Sequence, residues 1–196
     1  MKFIIAAGFC FFAAIASAQQ TLFDSVNRQR EVINQKGMVV LGSWALLNIG
    51  SGIIGQRQTT GEQQHFHRMN IFWGGVNLIL AGIGYFGSNQ NSTMSQRESF
   101  KKQATAEKLF LLNTALDLGY IAFGLYTRER GNRFTGAKKE RLHGTGRSLL
   151  VQGGFLAVFD GVMYLLHSKN GFRLQHSLSP FTFGRAENGI GVLYRF

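Results

Sequence analysis

Ser148–Leu166, SLLVQGGFLAVFDGVMYLL, contains no Lys, Arg or Glu. A helix of about 18–20 residues is about 27–30 Å long, close to the hydrocarbon thickness of a bilayer. Three further stretches share this character: Gly37–Gln56, Met69–Phe86 and Leu109–Tyr126. Charge is pushed into the segments between them, Arg57–Arg68, Gly87–Lys108 and Thr127–Arg147. A helix of a soluble bundle needs a polar outer face, with Glu, Lys and Arg at helical spacing. These four have none, so the sequence predicts an all-α fold, a four-helix transmembrane bundle over residues 37–168.

Composition agrees. The chain has 196 residues, 25 Gly, 18 Phe and 16% charged residues, where a soluble domain carries roughly 25%. One Pro and the low charge density exclude a Pro-rich or disordered linker. One Cys excludes a disulfide framework and any Cys-based zinc or iron–sulfur site.

Outward from the bundle, residues 1–18 read as a secretory signal. Lys2 supplies the positive start, Phe3–Ile15 is an uncharged apolar run, and Ala16-Ser17-Ala18 is a small-x-small cleavage site before Gln19. Phe9 ahead of Cys10 is too bulky for lipoprotein processing. Residues 19–36 are polar, with Leu22, Val26 and Ile33 spaced for a short amphipathic helix. In the C-terminal tail, 169–196, residues alternate at Phe172, Leu174 and Leu178 and again at Ile190, Val192, Tyr194 and Phe196. With Arg185–Gly189 as the turn, this is a β-hairpin pattern. Two strands are far too few for an outer-membrane barrel.

Export followed by four apolar spans places the protein in a bacterial inner membrane as a multi-pass chain, both termini outside. The third connecting segment would then be cytoplasmic. It is the most basic: Arg128, Arg130, Arg133, Lys138, Lys139, Arg141 and Arg147 against Glu129 and Glu140. The second, placed outside, also holds Arg97, Lys101, Lys102 and Lys108, so the charge bias is partial. The formal net charge of +11 is spread over membrane-flanking segments. Anionic lipid headgroups are the expected partner rather than nucleic acid.

Small residues recur at close-packing spacings: Gly153, Ala157 and Gly161; Ser51 and Gly55; Ala115 and Gly119. Such faces suit packing within the bundle, against a second copy, or against another envelope protein. Asn48, Gly50 and Gly55 match Asp117, Gly119 and Gly124 at equal offsets. Arg68, Gly74, Gly75 and Tyr85 likewise match Arg147, Gly153, Gly154 and Tyr164. The pattern suggests a duplicated helical hairpin.

A polar stripe supplies the candidate site. Trp44 and Asn48 are four apart, as are Trp73 and Asn77, and Asn113 and Asp117; Gln152, Asp160 and Tyr164 share a face of the fourth span. An intramembrane carboxylate costs roughly 2.5–3.5 kcal/mol on insertion scales, so these groups should turn inward and meet. Asp117 and Asp160 are expected to face each other, with Asn48, Asn77 and Asn113 near enough to donate and Tyr120 or Tyr164 as solvating hydroxyls. Two like charges within hydrogen-bonding reach do not both ionise cheaply, which favours a shared proton. This cluster reads either as a network fixing helix register or as an ion, proton or ligand site.

The histidines carry less. His65 and His67 point apart on a helix and make a poor metal pair; His143 lies in the basic segment and His167 ends the fourth span, where interfacial solvation is expected. No spacing indicates a catalytic constellation, a metal site or a cofactor.

The strings HFHRMNIFWGGVNLILAGIGYF, LLNTALDLGYIAFGLYTRERG and GTGRSLLVQGGFLAVFDGVMYLLHS carry Trp-x-x-x-Asn, Leu-Asp-x-Gly-Tyr and Phe-Asp-x-x-x-Tyr patterns. Through these, residues 37–168 resemble an uncharacterised family of small four-helix bacterial membrane proteins. The resemblance implies an all-helical membrane domain and no activity, substrate or cofactor. The expected function is a non-catalytic structural or interaction component of the cell envelope. The alternative is a small binding or transport protein using Asn48, Asn77, Asn113, Asp117, Gln152, Asp160 and Tyr164.

Overall fold

The computed structural model describes the backbone of residues 2–88, 94–176, 181–186 and 189–194, and the side chains of residues 21, 23–88 and 94–175. Four helices follow one another: α1 Lys2–Gln58, α2 Gly61–Gly87, α3 Gln96–Gly131 and α4 Gly136–His176. Each is long and apolar enough to cross a membrane. Their outer surfaces expose Leu46, Leu47, Ile79, Ile83, Leu112, Leu118, Val158 and Leu165, while Asn48, Asn70, Asn77, Asp117, Gln152 and Asp160 are buried. Apolar outside and polar inside is the arrangement a lipid solvent selects, because each intramembrane polar group must find its partner within the protein.

The connections are shorter than the distribution of charge suggests. Only residues 59–60 separate α1 from α2, and 132–135 separate α3 from α4. Lys and Arg do not end these helices; they continue them beyond the apolar windows, where long basic side chains reach water. Gly61 and Gly136 open α2 and α4 at φ +59° and +60°, a left-handed conformation that favours glycine. α3 begins on a reciprocal cap: Ser95 accepts from the Glu98 backbone N–H while the Glu98 carboxylate accepts from the Ser95 backbone N–H.

Residues 19–36 are not a separate amphipathic helix. They are the middle of α1, and Phe23 and Val26 pack with Leu174 of α4 and Phe100 of α3. Packing against the far ends of two long helices outweighs the polar composition. The Leu22 side chain lies outside the described residues.

The tail also departs from its expected register. α4 runs through Phe172 and Leu174 to His176, so the first strand starts later: β1 Phe181–Ala186 pairs antiparallel with β2 Gly189–Tyr194, from Phe181↔Tyr194 to Ala186↔Gly189. Helical hydrogen bonding and the burial of Leu174 override a short alternating pattern. Leu178 and Phe196 lie outside the described residues.

α4 is the hub, packing on α3, α2 and α1, while α1 packs mainly on α2. Of the glycines expected at close approaches, Gly153 is at one, whereas Gly119 and Gly161 are not. A Cβ at Gly153 would stand 3.0 Å from the Asp117 carbonyl oxygen, and one at Gly146 2.7 Å from that of Gly124. At Gly119 and Gly161 a Cβ would meet nothing within 4 Å, and Ser51 is exposed. Close approach therefore runs through Gly52, Gly74, Gly124, Gly146 and Gly153. Spacing alone does not say which of several glycine faces meets a neighbour.

Candidate ligand site

The polar stripe divides into two clusters. The first lies where α1 crosses α4. Gln152 of α4 donates from Nε2 to Asn48 Oδ1 at 2.7 Å and to Asn70 Oδ1 at 3.3 Å. Its Oε1 accepts from Trp44 Nε1 at 3.0 Å. Asn48 Nδ2 donates to the Trp44 carbonyl at 2.8 Å, and the Ser148 hydroxyl donates to Asn70 Oδ1. Trp44 also stacks on Phe155, ring centroids 4.0 Å apart. Gln152 thus uses both ends of its amide, and three helices are tied together. This network is closed.

The second cluster lies where α2 faces α3. Those two helices have no Cα atoms within 8 Å of each other among the described residues, so a cleft separates them. A cavity of about 440 Å³ fills it. Asp117, Asp160 and Asn113 all line it, with both carboxyl groups buried. Asp117, Asp160 and Tyr120 are the titratable side chains of the lining, which has no Lys, Arg or His.

Among the described residues, three polar atoms of this cleft have no partner: Trp73 Nε1, Asn77 Nδ2 and Asp117 Oδ2. Asn77 and Asp117 are 2% and 3% exposed, too little for bulk water to serve them. Trp73 stands edge-on to Tyr120, centroids 5.1 Å apart, so the polar floor has aromatic walls. Leu80, Ile83, Leu109 and Leu116 form an apolar rim that is itself exposed to the surroundings of the bundle.

The facing of Asp117 and Asp160 agrees with the spacing argument, and Asn77 and Asn113 join them. Asn48 and Gln152 do not; they belong to the closed network. Tyr164 packs against the apolar core of Leu156, Phe159 and Met163 and is not part of the cavity lining, whereas Tyr120 is. Asn70 and Ser148, which join the closed network, sit near the outer edges of their apolar segments, away from the mid-span stripe.

A third cluster was not anticipated. Where α1, α3 and α4 meet beyond the cleft, Arg30 is buried on Glu31 at 2.9 Å and Asn27 at 3.0 Å. Asn27 bonds Ser99, and Asn170 bonds Gln103 and the Val26 carbonyl. His167 is fully buried rather than solvated at an interface: its Nε2 is 3.0 Å from Asn34 Oδ1 and its ring stacks on Phe110. The Asn27-Arg30-Asn34 spacing of three and four was the available signal. His143 and Arg147 approach Glu62 at the opposite end, 3.7 and 3.0 Å away. Among the described residues no group of three His, Cys, Asp or Glu could hold a metal.

The family of unknown function DUF6992 matches residues 40–161. The chain belongs to that family. The matched region runs from Val40 in α1 to Gly161 in α4, so it contains the closed network and all of the cleft lining but Met38, and excludes Arg30 and His167. No curated protein and no solved structure matches the chain.

Proposed function

We propose that this family member is a non-catalytic, multi-pass membrane protein that binds a small membrane-soluble ligand in the α2–α3 cleft. The carrying observation is the set of three unpartnered buried polar atoms, Trp73 Nε1, Asn77 Nδ2 and Asp117 Oδ2, all around one cavity. A buried polar group without a partner costs roughly 1–3 kcal/mol, and a ligand that satisfies several at once recovers that cost. The volume falls in the range of small-molecule pockets, and the exposed leucine rim suits entry from the lipid side.

Export through the signal at 1–18, with cleavage before Gln19, would deliver the chain to a bacterial inner membrane. The basic flanks, Arg128 to Arg147 above all, would lie against anionic headgroups on the cytoplasmic side. A structural or interaction role within the envelope is the second reading, favoured by the fully bonded Gln152 network.

Ligand extraction tests the proposal. Protein purified from its native membranes should release a small molecule that the Leu116→Trp variant, with its cleft filled from the rim, does not retain. Equal extracts from both, with both folded, would reject the binding role in favour of the structural one.

A further inference from the structure

The cleft specifies more than an occupant; it specifies a charge. Two carboxyl groups, Asp117 and Asp160, 3% and 5% exposed, line one cavity whose lining includes no basic side chain. The remaining lining is two amides, Asn77 and Asn113, the aromatic pair Trp73 and Tyr120, and aliphatic or Phe side chains with Gly84 and Met38. Carboxylate with aromatic faces is the chemistry that recognises an organic ammonium, whose charge the acids neutralise and the ring faces attract. An anion would meet a second negative charge there, and a neutral molecule would leave the pair dependent on its proton. The unpartnered donors, Trp73 Nε1 and Asn77 Nδ2, would take an acceptor atom on the same ligand.

We propose that the ligand of the α2–α3 cleft is a monovalent organic cation with an apolar body, bound by Asp117 and Asp160 between Trp73 and Tyr120. This rests on the binding role proposed above and names its ligand class. Electroneutrality sets the exchange: with both carboxyls protonated the empty pair is neutral, and the cation enters as one of the two protons leaves, the other staying shared. The titratable groups facing the site are the two Asp and Tyr120, from α3 and α4; α1 and α2 contribute none to the lining. Binding therefore strengthens as pH rises, since proton and cation compete for the same charge.

A competing class is visible next to it. A neighbouring opening shares Met38, Ile83, Gly84, Leu109 and Phe110 with the cleft and carries Lys101 and Lys102. Arg30 also lines it, already paired with Glu31 at 2.9 Å, and Glu98 offsets one of the two exposed lysines, so the one positive charge left over stands in contact with the surroundings. The opening favours an anion less than the carboxyl pair favours a cation.

Three probes of one chain length separate the classes: dodecylamine, dodecanol and dodecanoate. Each is titrated into the full chain in phosphatidylcholine nanodiscs, with empty discs subtracted. Dodecylamine should saturate at one per chain and bind about tenfold or more tighter than dodecanol. Its affinity should rise between pH 6 and pH 8, with one proton released per amine bound. Asp117→Asn with Asp160→Asn should abolish the preference. Leu116→Trp should block binding with both acids intact, so loss of fold in the first variant does not decide the matter. Equal saturable binding of dodecanol, blocked by Leu116→Trp, would overturn the cation and leave the binding role standing. Tighter binding of dodecanoate, lost on Lys101→Gln with Lys102→Gln, would overturn it in favour of an anion. No saturable binding of any probe would overturn both this inference and the binding role beneath it.

Discussion

When the first helical hairpin is aligned on the second, the crossing of α1 with α4 corresponds to that of α2 with α3, yet one is closed and the other open. In the alignment that pairs Asn48 with Asp117 and Gly74 with Gly153, Trp44 corresponds to Asn113 and Trp73 to Gln152. At the first crossing the α4 residue is an amide that satisfies Trp44 and Asn48 together. At the second, the corresponding α2 residue is Trp73, whose Nε1 has no partner, and Asp117 stands where an amide stood. At the closed crossing one amide bonds both of its neighbours across the helices; at the open one the indole N–H and the Asp117 oxygen, donor and acceptor, are left unjoined. The closed crossing reads as structure and the open one as a site.

Breaking the scaffold beneath both crossings should have the largest effect. Gly146→Val would push a Cβ to 2.7 Å from the Gly124 carbonyl oxygen and force α3 from α4. Overpacking of this kind costs about 1–3 kcal/mol or more, and the purified protein should melt early or aggregate. Gly154→Ala, where a Cβ meets nothing within 4 Å, should melt as the parent does. Equal melting of the Gly146→Val variant would show that α3 and α4 do not approach as described.

The next test separates the crossings directly. Gln152→Leu strands Trp44 Nε1 and Asn48 Oδ1 and should destabilise the fold by about 1–3 kcal/mol in detergent unfolding. Asp160→Asn keeps the shape and removes a charge from a site with no counter-ion, so its cost should be under about 1 kcal/mol while ligand retention falls. The reverse order of stabilities would exchange the roles assigned to the two places.

How much of this was legible follows from what each signal encodes. Absence of Lys, Arg and Glu located four spans, because lipid tolerates little charge. Inward-facing Asp117 and Asp160 followed from the same cost. Helical spacing fixes a face but not the depth at which two faces meet, so Asn48 and Gln152 could not be separated from the carboxyl pair. Charge-rich stretches read as loops, although α3 and α4 run through them as helix. Asn27, Arg30 and Asn170 sit in polar segments, where nothing in the sequence distinguishes a buried amide from a solvated one.

A smaller effect belongs to the cap of α3, on the wall of the open crossing. The Ser95 backbone and hydroxyl hydrogen bonds hold the Glu98 carboxyl below the usual carboxylate range. Its contribution is present above the unfolded-state value of 4.5 and fades as pH falls through the lowered folded value. Ser95→Ala should lower the melting temperature slightly at pH 7 and less at the acid end. An equal shift across that window would show that the cap does not depend on the carboxylate.

A structure of the full chain in a lipid nanodisc, at a resolution that shows ordered small molecules, tests the central claim most directly. The account predicts non-protein density between α2 and α3, within about 3 Å of Asn77 Nδ2 and Trp73 Nε1 and beside the Asp117 carboxyl. An α2 packed directly against α3, with these atoms bonded to each other or to the protein, would contradict it.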